Sequence, residues 1–364
     1  ENFYFQINLN MTIPETKNYT KYSGMTEQPL VTIAMPVYNA EHYIKKAIDS
    51  ILQQTYTNWE LVMVNDGSID QSEKIILSYS DPRLRYFKND VNSGIVKTRN
   101  RCLELARGKY IAVLDNDDIA LPKRLEMQVS FLEAKQDYGV VGSYWEIIDN
   151  NDRVQATVEI PSTDPEIKTY QLFNNCFCAS TVMMRAELVK EAKYQEGSDM
   201  LEDFNLYHRL YPFTKFASLP FSLTQYRVHG KNESFQKYDA LMALRKKMDA
   251  SILSRMNIPF TEEELSLHTH FVNGRFTYFK KKGALPLLEI WLLKIKQLLE
   301  QRPGMEGDII LQIYIKRWLQ LFHSTRWFSI RVINNSLFRN HKMKFIKYVW
   351  EFVNEKISKK IQLA

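Results

Sequence analysis

The stretch Tyr110-Ile111-Ala112-Val113-Leu114-Asp115-Asn116-Asp117-Asp118 decides the fold. Five apolar or aromatic residues run without a polar break and stop in three carboxylates. So short and unalternating a run reads as a strand buried on both faces, as in a parallel sheet. Carboxylates at the C-terminal end of such a strand face the crevice where α/β sheets bind ligands. Asp-x-Asp there offers hard oxygen ligands to a divalent cation, and a cation is how a protein holds a diphosphate. Carboxylates this close repel, so a metal ion or several backbone donors must offset them. A solvated acidic turn is the plain alternative, and the preceding strand makes it harder to hold.

Two further acidic clusters flank this one. Upstream, Leu61–Val64 is another buried strand, closed by Asn65-Asp66-Gly67-Ser68. Asp66 can accept from a base N–H or a ribose hydroxyl, or simply form an Asx-turn before the helix at Gln71. Downstream, Glu202-Asp203 supplies carboxylates for proton transfer, and Asp203 is the candidate general base. Acids also suit the start of a helix, which is the competing use of Glu202. The three clusters together point to a metal-dependent transferase acting on a nucleotide-diphosphate substrate.

Further outward, strand and helix alternate from Leu30 to about Gly142. Strands are expected at Val31–Met35, Leu61–Val64, Arg85–Phe87, Tyr110–Leu114 and from Val140. Helices are expected at Glu41–Gln53, Gln71–Ser80, Gly94–Ala106 and Pro122–Glu133, the last with Pro at its first turn. This is a right-handed βαβ series and so an α/β fold with a mostly parallel sheet. The alternation then loosens. Asn150–Asp164 reads as a hairpin or loop, Thr181–Arg185 as a strand and Asp203–Leu210 as a helix. Lys215–Tyr226 reads as one or two closing strands broken at Pro220. Beyond Lys237 the pattern is helical, with apolar faces on Leu285–Gln301, Ile309–Phe322 and Met343–Ile357.

Other candidate site residues lie at the ends of these elements. Pro36-Val37-Tyr38-Asn39 closes the first strand, where a turn can approach a base and Tyr38 offers an aromatic face; Glu41 joins the same donor-binding set. Asn92-Ser93-Gly94 opens a helix whose N-terminus attracts anions, which makes Lys97 and Arg99 candidate phosphate contacts. Asp115 and Asn116 are candidate donor contacts and Asp117 a candidate metal ligand. His229, after the last strand, is a candidate metal ligand or phosphate contact.

Composition bounds the rest. The 364 residues suffice for one large domain and a smaller one. We expect residues 1–28 to lie outside the fold, residues 29–236 to form the catalytic domain and residues 237–364 a helical C-terminal domain. Glu1-Asn2-Phe3-Tyr4-Phe5-Gln6 reads as a tag remnant, with disorder to about Met25. Cys102, Cys176 and Cys178 are too few for a disulfide framework, which fits a reducing cytoplasm; Cys176-Phe177-Cys178 lacks the second pair that a zinc site needs. No apolar run reaches the roughly 18 residues of a membrane span. The net charge of +6 hides an asymmetry, because residues 280–364 hold 17 Lys/Arg against 6 Asp/Glu. That basic, aromatic-rich region suits an anionic membrane surface or polyanion, with a solvated helical bundle or a homo-oligomer interface as the other uses. No recognition motif accompanies the charge, so nucleic acid is excluded as a partner.

Taken in order, these motifs resemble the family 2 glycosyltransferases, inverting enzymes of GT-A fold. The opening match is Val31-Thr-Ile-Ala-Met-Pro-Val-Tyr-Asn39, Gln54-Thr55 and Val64-Asn-Asp-Gly-Ser68-Ile-Asp70. Asn92-x-Gly94-x-x-x-Thr98-Arg-Asn100, Ala106-x-Gly108-x-Tyr110 and Leu114-Asp-Asn-Asp-Asp118 follow, then Glu202-Asp203 and Tyr226-Arg-x-His229. The resemblance covers about Leu30 to Ser234. It implies that Pro36 to Asn39 and Asp66 line the nucleobase and ribose pocket, that Asp115 meets the ribose and that Asp117 holds Mn²⁺ or Mg²⁺ on the donor diphosphate. It implies further that Asp203 is the base, that Glu202 places the acceptor and that His229 closes over the diphosphate. UDP is the nucleotide it favours, and a saccharide or glycolipid of surface-polysaccharide, lipooligosaccharide or wall-polymer synthesis the acceptor. The expected location, drawn from the cysteines and the basic C-terminal region that lies outside the resemblance, is cytoplasmic, with peripheral contact on the inner face of the cell membrane as an option. Asn65, Thr98 and Cys102 depart from the usual residues without removing a proposed chemical group. The Gln-x-x-Arg-Trp motif of processive members is missing, so single-sugar transfer is expected. A nucleotidyltransferase would need basic loops that Pro36–Glu41 lacks. An idle saccharide- or lipid-binding scaffold on the same fold is the remaining alternative.

Overall fold

β1 (Val31–Val37) and β2 (Trp59–Asn65) are buried along their whole length, and their mostly apolar residues suit interior parallel strands. The structure, a computed structural model, describes residues 28–229, 238–281 and 283–301. The expectations for Glu1–Met25, for the loop reaching Ser234 and for the helices Ile309–Phe322 and Met343–Ile357 lie outside the described residues.

Between these strands runs α1 (Ile44–Leu52), which buries Ile44, Ala47, Ile48 and Ile51, the i, i+3, i+4, i+7 face of an amphipathic helix. The chain continues through α2 (Ser72–Leu77), β3 (Leu84–Lys88), α3 (Ile95–Leu105), β4 (Tyr110–Val113), the short β5 (Ile119–Ala120) and α4 (Arg124–Ala134). It then forms β6 (Tyr138–Ile148), β7 (Val154–Val158), α5 (Asp164–Gln171), β8 (Met183–Arg185), α6 (Ala186–Ala192), α7 (Glu202–Leu210) and β9 (Lys215–Arg227). Among the described residues α8 (Tyr238–Arg255), α9 (Glu262–Val272) and α10 (Ala284–Glu300) follow.

The nine strands of the described residues join one sheet in the order β3-β2-β1-β4-β8-β6-β9-β5, with β7 pairing along β6. Parallel ladders join β3 to β2, β2 to β1, β1 to β4 and β6 to β9. β8 runs antiparallel between β4 and β6. α3 packs on β1 and β2, and α4 on β6, so the sheet is flanked by helices as expected.

The closing strand differs from the sequence reading. Pro220 does not break β9: Leu219 pairs with Ser143 and Ser222 with Tyr144, so Pro220 and Phe221 bulge out of the ladder. A bulge is where a strand tolerates a residue with no N–H to donate. Asn150–Asp164 resolves into a hairpin return, β7 on β6, followed by the start of α5.

The loops after β3, β2, β1 and β4 emerge side by side at the C-terminal edge and are laced together. Asn89 N donates to Asn65 O at 2.8 Å, Asp66 N to Val37 O at 2.8 Å and Leu114 N to Ala34 O at 3.2 Å. At the opposite edge Gly108 lies so close to the neighbouring chain that a Cβ would sit 2.5 Å from Thr32 N and 2.8 Å from Leu30 O.

The chain divides into two compact units, Glu1–Ile167 with Asn175–Leu241, and Lys168–Asn174 with Met242–Ala364. In the second unit Arg245 pairs with the fully buried Asp249 at 2.7 Å and donates to Phe173 O at 2.9 Å, while Thr269 donates to Asp249 at 2.8 Å. A capping box between Thr261 and Glu264 starts α9. No helix of the described residues is long and apolar enough to cross a membrane.

Candidate active site

The loop after β1 is held by the loop after β2. Asn39, in a left-handed conformation at φ 48°, accepts from Ile69 N through Oδ1, and its own N–H donates to Ser68 Oγ, both at 3.0 Å. Glu41 Oε2 accepts from Gln71 N at 3.0 Å, and Asp70 accepts from Glu41 N at 2.9 Å. These side chains set loop shape, and Tyr38 beside them is exposed. Pro36 offers its carbonyl to Asn116 Nδ2 at 2.9 Å, which ties the acidic loop to the end of β1. Val37 is buried in β1.

Asp66 is also engaged. One oxygen accepts from Asn89 Nδ2 at 2.6 Å and Ser93 N at 2.8 Å, the other from Gly94 N at 2.9 Å. A carboxylate has about four lone-pair sites, so about one remains for a ligand. Gly67 makes this possible, with φ 72° and a Cβ position only 2.9 Å from Asn92 N.

Behind the crevice, α3 presents Arg99. Its Nη2 donates to Asp115 Oδ1 at 2.9 Å and its Nε to Glu202 Oε1 at 3.2 Å. Arg99 is 6% exposed, so it serves two carboxylates from distant segments and is not an open phosphate contact; Lys97 on the same helix is exposed. Next to it Asn100 clamps Tyr194, donating to its carbonyl and accepting from its N–H, both at 2.8 Å. That clamp places the chain leading into α7.

The repulsion within Asp115–Asp118 is offset residue by residue. Asp115 has Arg99. Asp117 Oδ2 meets His229 Nε2 at 2.9 Å. Asp118 is fully buried, and burial together with the charges of Asp117 and Asp115 drives its carboxyl well above the ordinary range; it accepts from Arg227 N at 2.9 Å. Arg227 Nε donates to Asp117 O at 2.9 Å as well. Arg124 lies fully buried behind this loop and donates to Val113 O at 2.7 Å. Burial pulls its pKa down to about 10, so it stays charged at neutral pH.

Glu202 and Asp203 begin α7. Burial, opposed by Arg99, raises both, and Glu202 reaches about 7. Asp203 accepts from Asn175 Nδ2 at 3.2 Å and from Phe204 N at 2.7 Å. A carboxylate raised toward neutrality and held by two donors is a base suited to taking a proton from a hydroxyl.

For a divalent cation the candidate donors are Asp117 and His229. Asp117 Oδ1 carries no bond from the described residues, and the two side chains are 21% and 11% exposed. No cluster of three or more His, Cys, Asp or Glu ligands occurs among the described residues. One carboxylate and one imidazole fit a cation that takes its remaining ligands from water and substrate phosphates. Sequence reasoning assigned no role to Asn175, Tyr43, Arg124 or Arg227. Arg227 lay inside the Tyr226-Arg-x-His229 motif, and Arg124 opens the helix after the acidic cluster.

Comparison with known proteins agrees with this architecture. A family model described as Glycosyl transferase family 2 matches residues 32–192. The chain is 35% identical over 222 residues to the Escherichia coli UDP-Glc:alpha-D-GlcNAc-diphosphoundecaprenol beta-1,3-glucosyltransferase WfgD, across 58% of this chain and 82% of that protein. It is 33% identical over 215 residues to an uncharacterized glycosyltransferase of Methanocaldococcus jannaschii, across 57% of this chain and 74% of that one. Among solved structures, S. aureus TarS in complex with UDP-GlcNAc aligns with a TM-score of 0.55 at 19% identity, over 81% of this chain and 88% of that one. The Pyrobaculum calidifontis mannosyltransferase PcManGT, in complex with GDP-Man and Mn²⁺, aligns at 0.50 and 15% identity, over 90% and 88%.

Proposed function

The chain belongs to glycosyl transferase family 2, and from that membership we propose that it moves one sugar from a UDP-sugar to a hydroxyl of a saccharide or glycolipid acceptor, inverting the anomeric carbon. The observation that carries this reading is Arg99, whose guanidinium joins Asp115 to Glu202 and so sets a donor-side carboxylate against the carboxylates of α7. A transferase needs that adjacency; a scaffold does not.

In the proposed mechanism Asp203 takes the acceptor hydroxyl proton as the oxygen forms its bond to the anomeric carbon. The carbon–oxygen bond to the diphosphate breaks, and the electron pair leaves with UDP. Asn175 and the Phe204 N–H fix the base, and Glu202 orients the acceptor. Asp117 and His229 would hold Mn²⁺ or Mg²⁺, which when bound stabilises the charge on the departing diphosphate. The UDP preference is supported by the UDP-sugar of WfgD and the UDP-GlcNAc bound to TarS, and a lipid-linked acceptor by the diphosphoundecaprenol acceptor of WfgD. These also favour surface-glycan synthesis, with UDP-hexose or UDP-N-acetylhexosamine as the donor.

The test is release of nucleotide from a panel of UDP-, dTDP- and GDP-sugars, with Mn²⁺ or Mg²⁺, with and without short saccharide acceptors. We expect metal-dependent release from one donor, lost by about 100-fold or more in Asp117→Ala and abolished by a chelator. Absence of both turnover and metal-dependent nucleotide binding would overturn the proposal.

A further inference from the structure

Tyr43 stands just before α1 and touches three parts of the site's wall. Its ring stacks on the His229 imidazole, with centroids 4.9 Å apart and planes at 23°. The Arg227 guanidinium carbon lies 5.0 Å from the centroid of the same ring. Its hydroxyl donates to Asn150 Oδ1 at 3.0 Å, on the turn between β6 and β7. Arg227 also reaches that turn, donating to Asp149 O at 2.8 Å and pairing with Asp152 at 2.6 Å.

Both partners of the ring grip the acidic loop. His229 bonds the Asp117 carboxylate, and Arg227 bonds the Asp117 carbonyl and, through its backbone, Asp118. His229 lies two residues beyond the end of β9, so the strand ladder does not orient its ring. An imidazole has two side-chain torsions to fix, and a flat aromatic neighbour removes much of that freedom. The half-buried Tyr43 spends its face on a stacked imidazole and a guanidinium, the use for which an aromatic ring differs from an aliphatic one of similar bulk.

We propose that Tyr43 is a positioning residue that holds His229, and through it the Asp117–His229 pair, in the geometry that receives the donor diphosphate. The proposal rests on the reading of that pair given above. The ring is the working part, and the hydroxyl anchors it to the β6–β7 turn.

The experiment compares Tyr43→Leu, Tyr43→Phe, His229→Ala and the double variant Tyr43→Leu/His229→Ala in metal-dependent nucleotide release. Tyr43→Leu keeps apolar bulk and should lower kcat about 10-fold with little change in acceptor KM, while Tyr43→Phe stays within about 2-fold. The double variant should be no slower than His229→Ala, because Tyr43 acts through that residue. Independently of turnover, the His229 ring-proton resonances should lie upfield in the wild type and Tyr43→Phe and return toward ordinary positions in Tyr43→Leu. Activity in Tyr43→Leu equal to Tyr43→Phe, additive losses in the double variant, or unshifted wild-type resonances would overturn the proposal. If His229→Ala and Asp117→Ala both keep full metal-dependent release, the metal-site reading fails and this proposal with it; the resonances then report the stacking alone.

Discussion

Arg99 sets the electrostatics of the site at the scale of single residues, because one buried guanidinium serves a carboxylate of the acidic loop and one of α7. Its attraction opposes the burial that raises Asp203 and that raises Glu202 to about 7. With Asp203 as the proposed base, transfer needs it ionised, so the rate should climb as pH rises and level off once the pair has lost its protons, which gives an acidic limb. Glu202→Gln removes the neighbouring negative charge, lets Asp203 ionise more easily and should move that limb to lower pH while reducing acceptor affinity. Stability should follow the opposite course. The Glu202 carboxyl is raised from 4.5 to about 7 on folding, so the folded chain holds that proton more tightly than the unfolded chain. The destabilisation is absent below about pH 4.5, builds as pH rises and is complete above about 7. Glu202→Gln should therefore gain up to about 3 kcal/mol at pH 8 relative to its effect at pH 4, read from urea unfolding at the two values; an equal effect at both would refute this account. Asp117 and His229 were legible in the sequence as candidates because each closely follows an apolar strand, and Asp203 because it is paired with Glu202 at a helix start. Arg99 was legible only as a cation early in a helix. Its two partners lie 16 and 103 residues away, and nothing in the local pattern separates a buried cation from a solvated one.

Whole elements show why some motif residues serve the packing of the fold. Gln54 donates to Leu121 O at 2.9 Å and accepts from Leu125 N at 3.1 Å, so it fastens α1 to the start of α4 just after the acidic loop. Gly108 answers a different constraint, the approach of β4 to β1. Thr32 Oγ1 accepts from Gly108 N at 2.9 Å and donates to the buried Glu60 at 2.6 Å, which also pairs with Arg85 at 2.8 Å. A methyl group at 108 would meet Tyr110 O at 2.7 Å, Leu30 O at 2.8 Å and Thr32 N at 2.5 Å, all backbone atoms that cannot turn aside. Gly108→Ala should destabilise the first unit by about 1–3 kcal/mol, visible as a lower denaturant midpoint, with the residual folded enzyme keeping its KM values; a midpoint equal to wild type would remove the close-approach argument. The parallel strands and their helices were readable from short, mostly apolar runs and helical spacing. The sense of β8 was not, because Met183–Arg185 looks the same run either way, and its antiparallel place is set by partners on β4 and β6.

Charge is distributed unevenly over the whole molecule, and that unevenness predicts where it goes. Residues 280–364 carry a net +11 within a chain of net +6, so the remainder is net acidic. A uniformly basic protein would be drawn to any polyanion in any orientation; here the acidic remainder is repelled by an anionic surface while the C-terminal region is attracted. Each Lys or Arg near an anionic bilayer contributes about 1 kcal/mol, and the attraction fades within a Debye length of about 10 Å at 0.1 M salt. Trp318, Trp327 and Trp350, interleaved with these cations, add side chains that favour the headgroup layer. A lipid-linked acceptor would make that placement useful, since the reacting hydroxyl is then confined to the membrane plane. We therefore expect the full chain to sediment with vesicles containing about 30% anionic lipid at low salt, and to be released as salt is raised toward about 0.5 M. Neutral vesicles should bind far less. Replacing Lys342, Lys344 and Lys347 with Glu turns three positive charges into three negative ones and should abolish the sedimentation while leaving nucleotide release from the donor unchanged. Equal binding to neutral and anionic vesicles would assign the contact to apolar insertion instead, and no binding to either would leave the basic region to an anionic saccharide or a second copy of the chain.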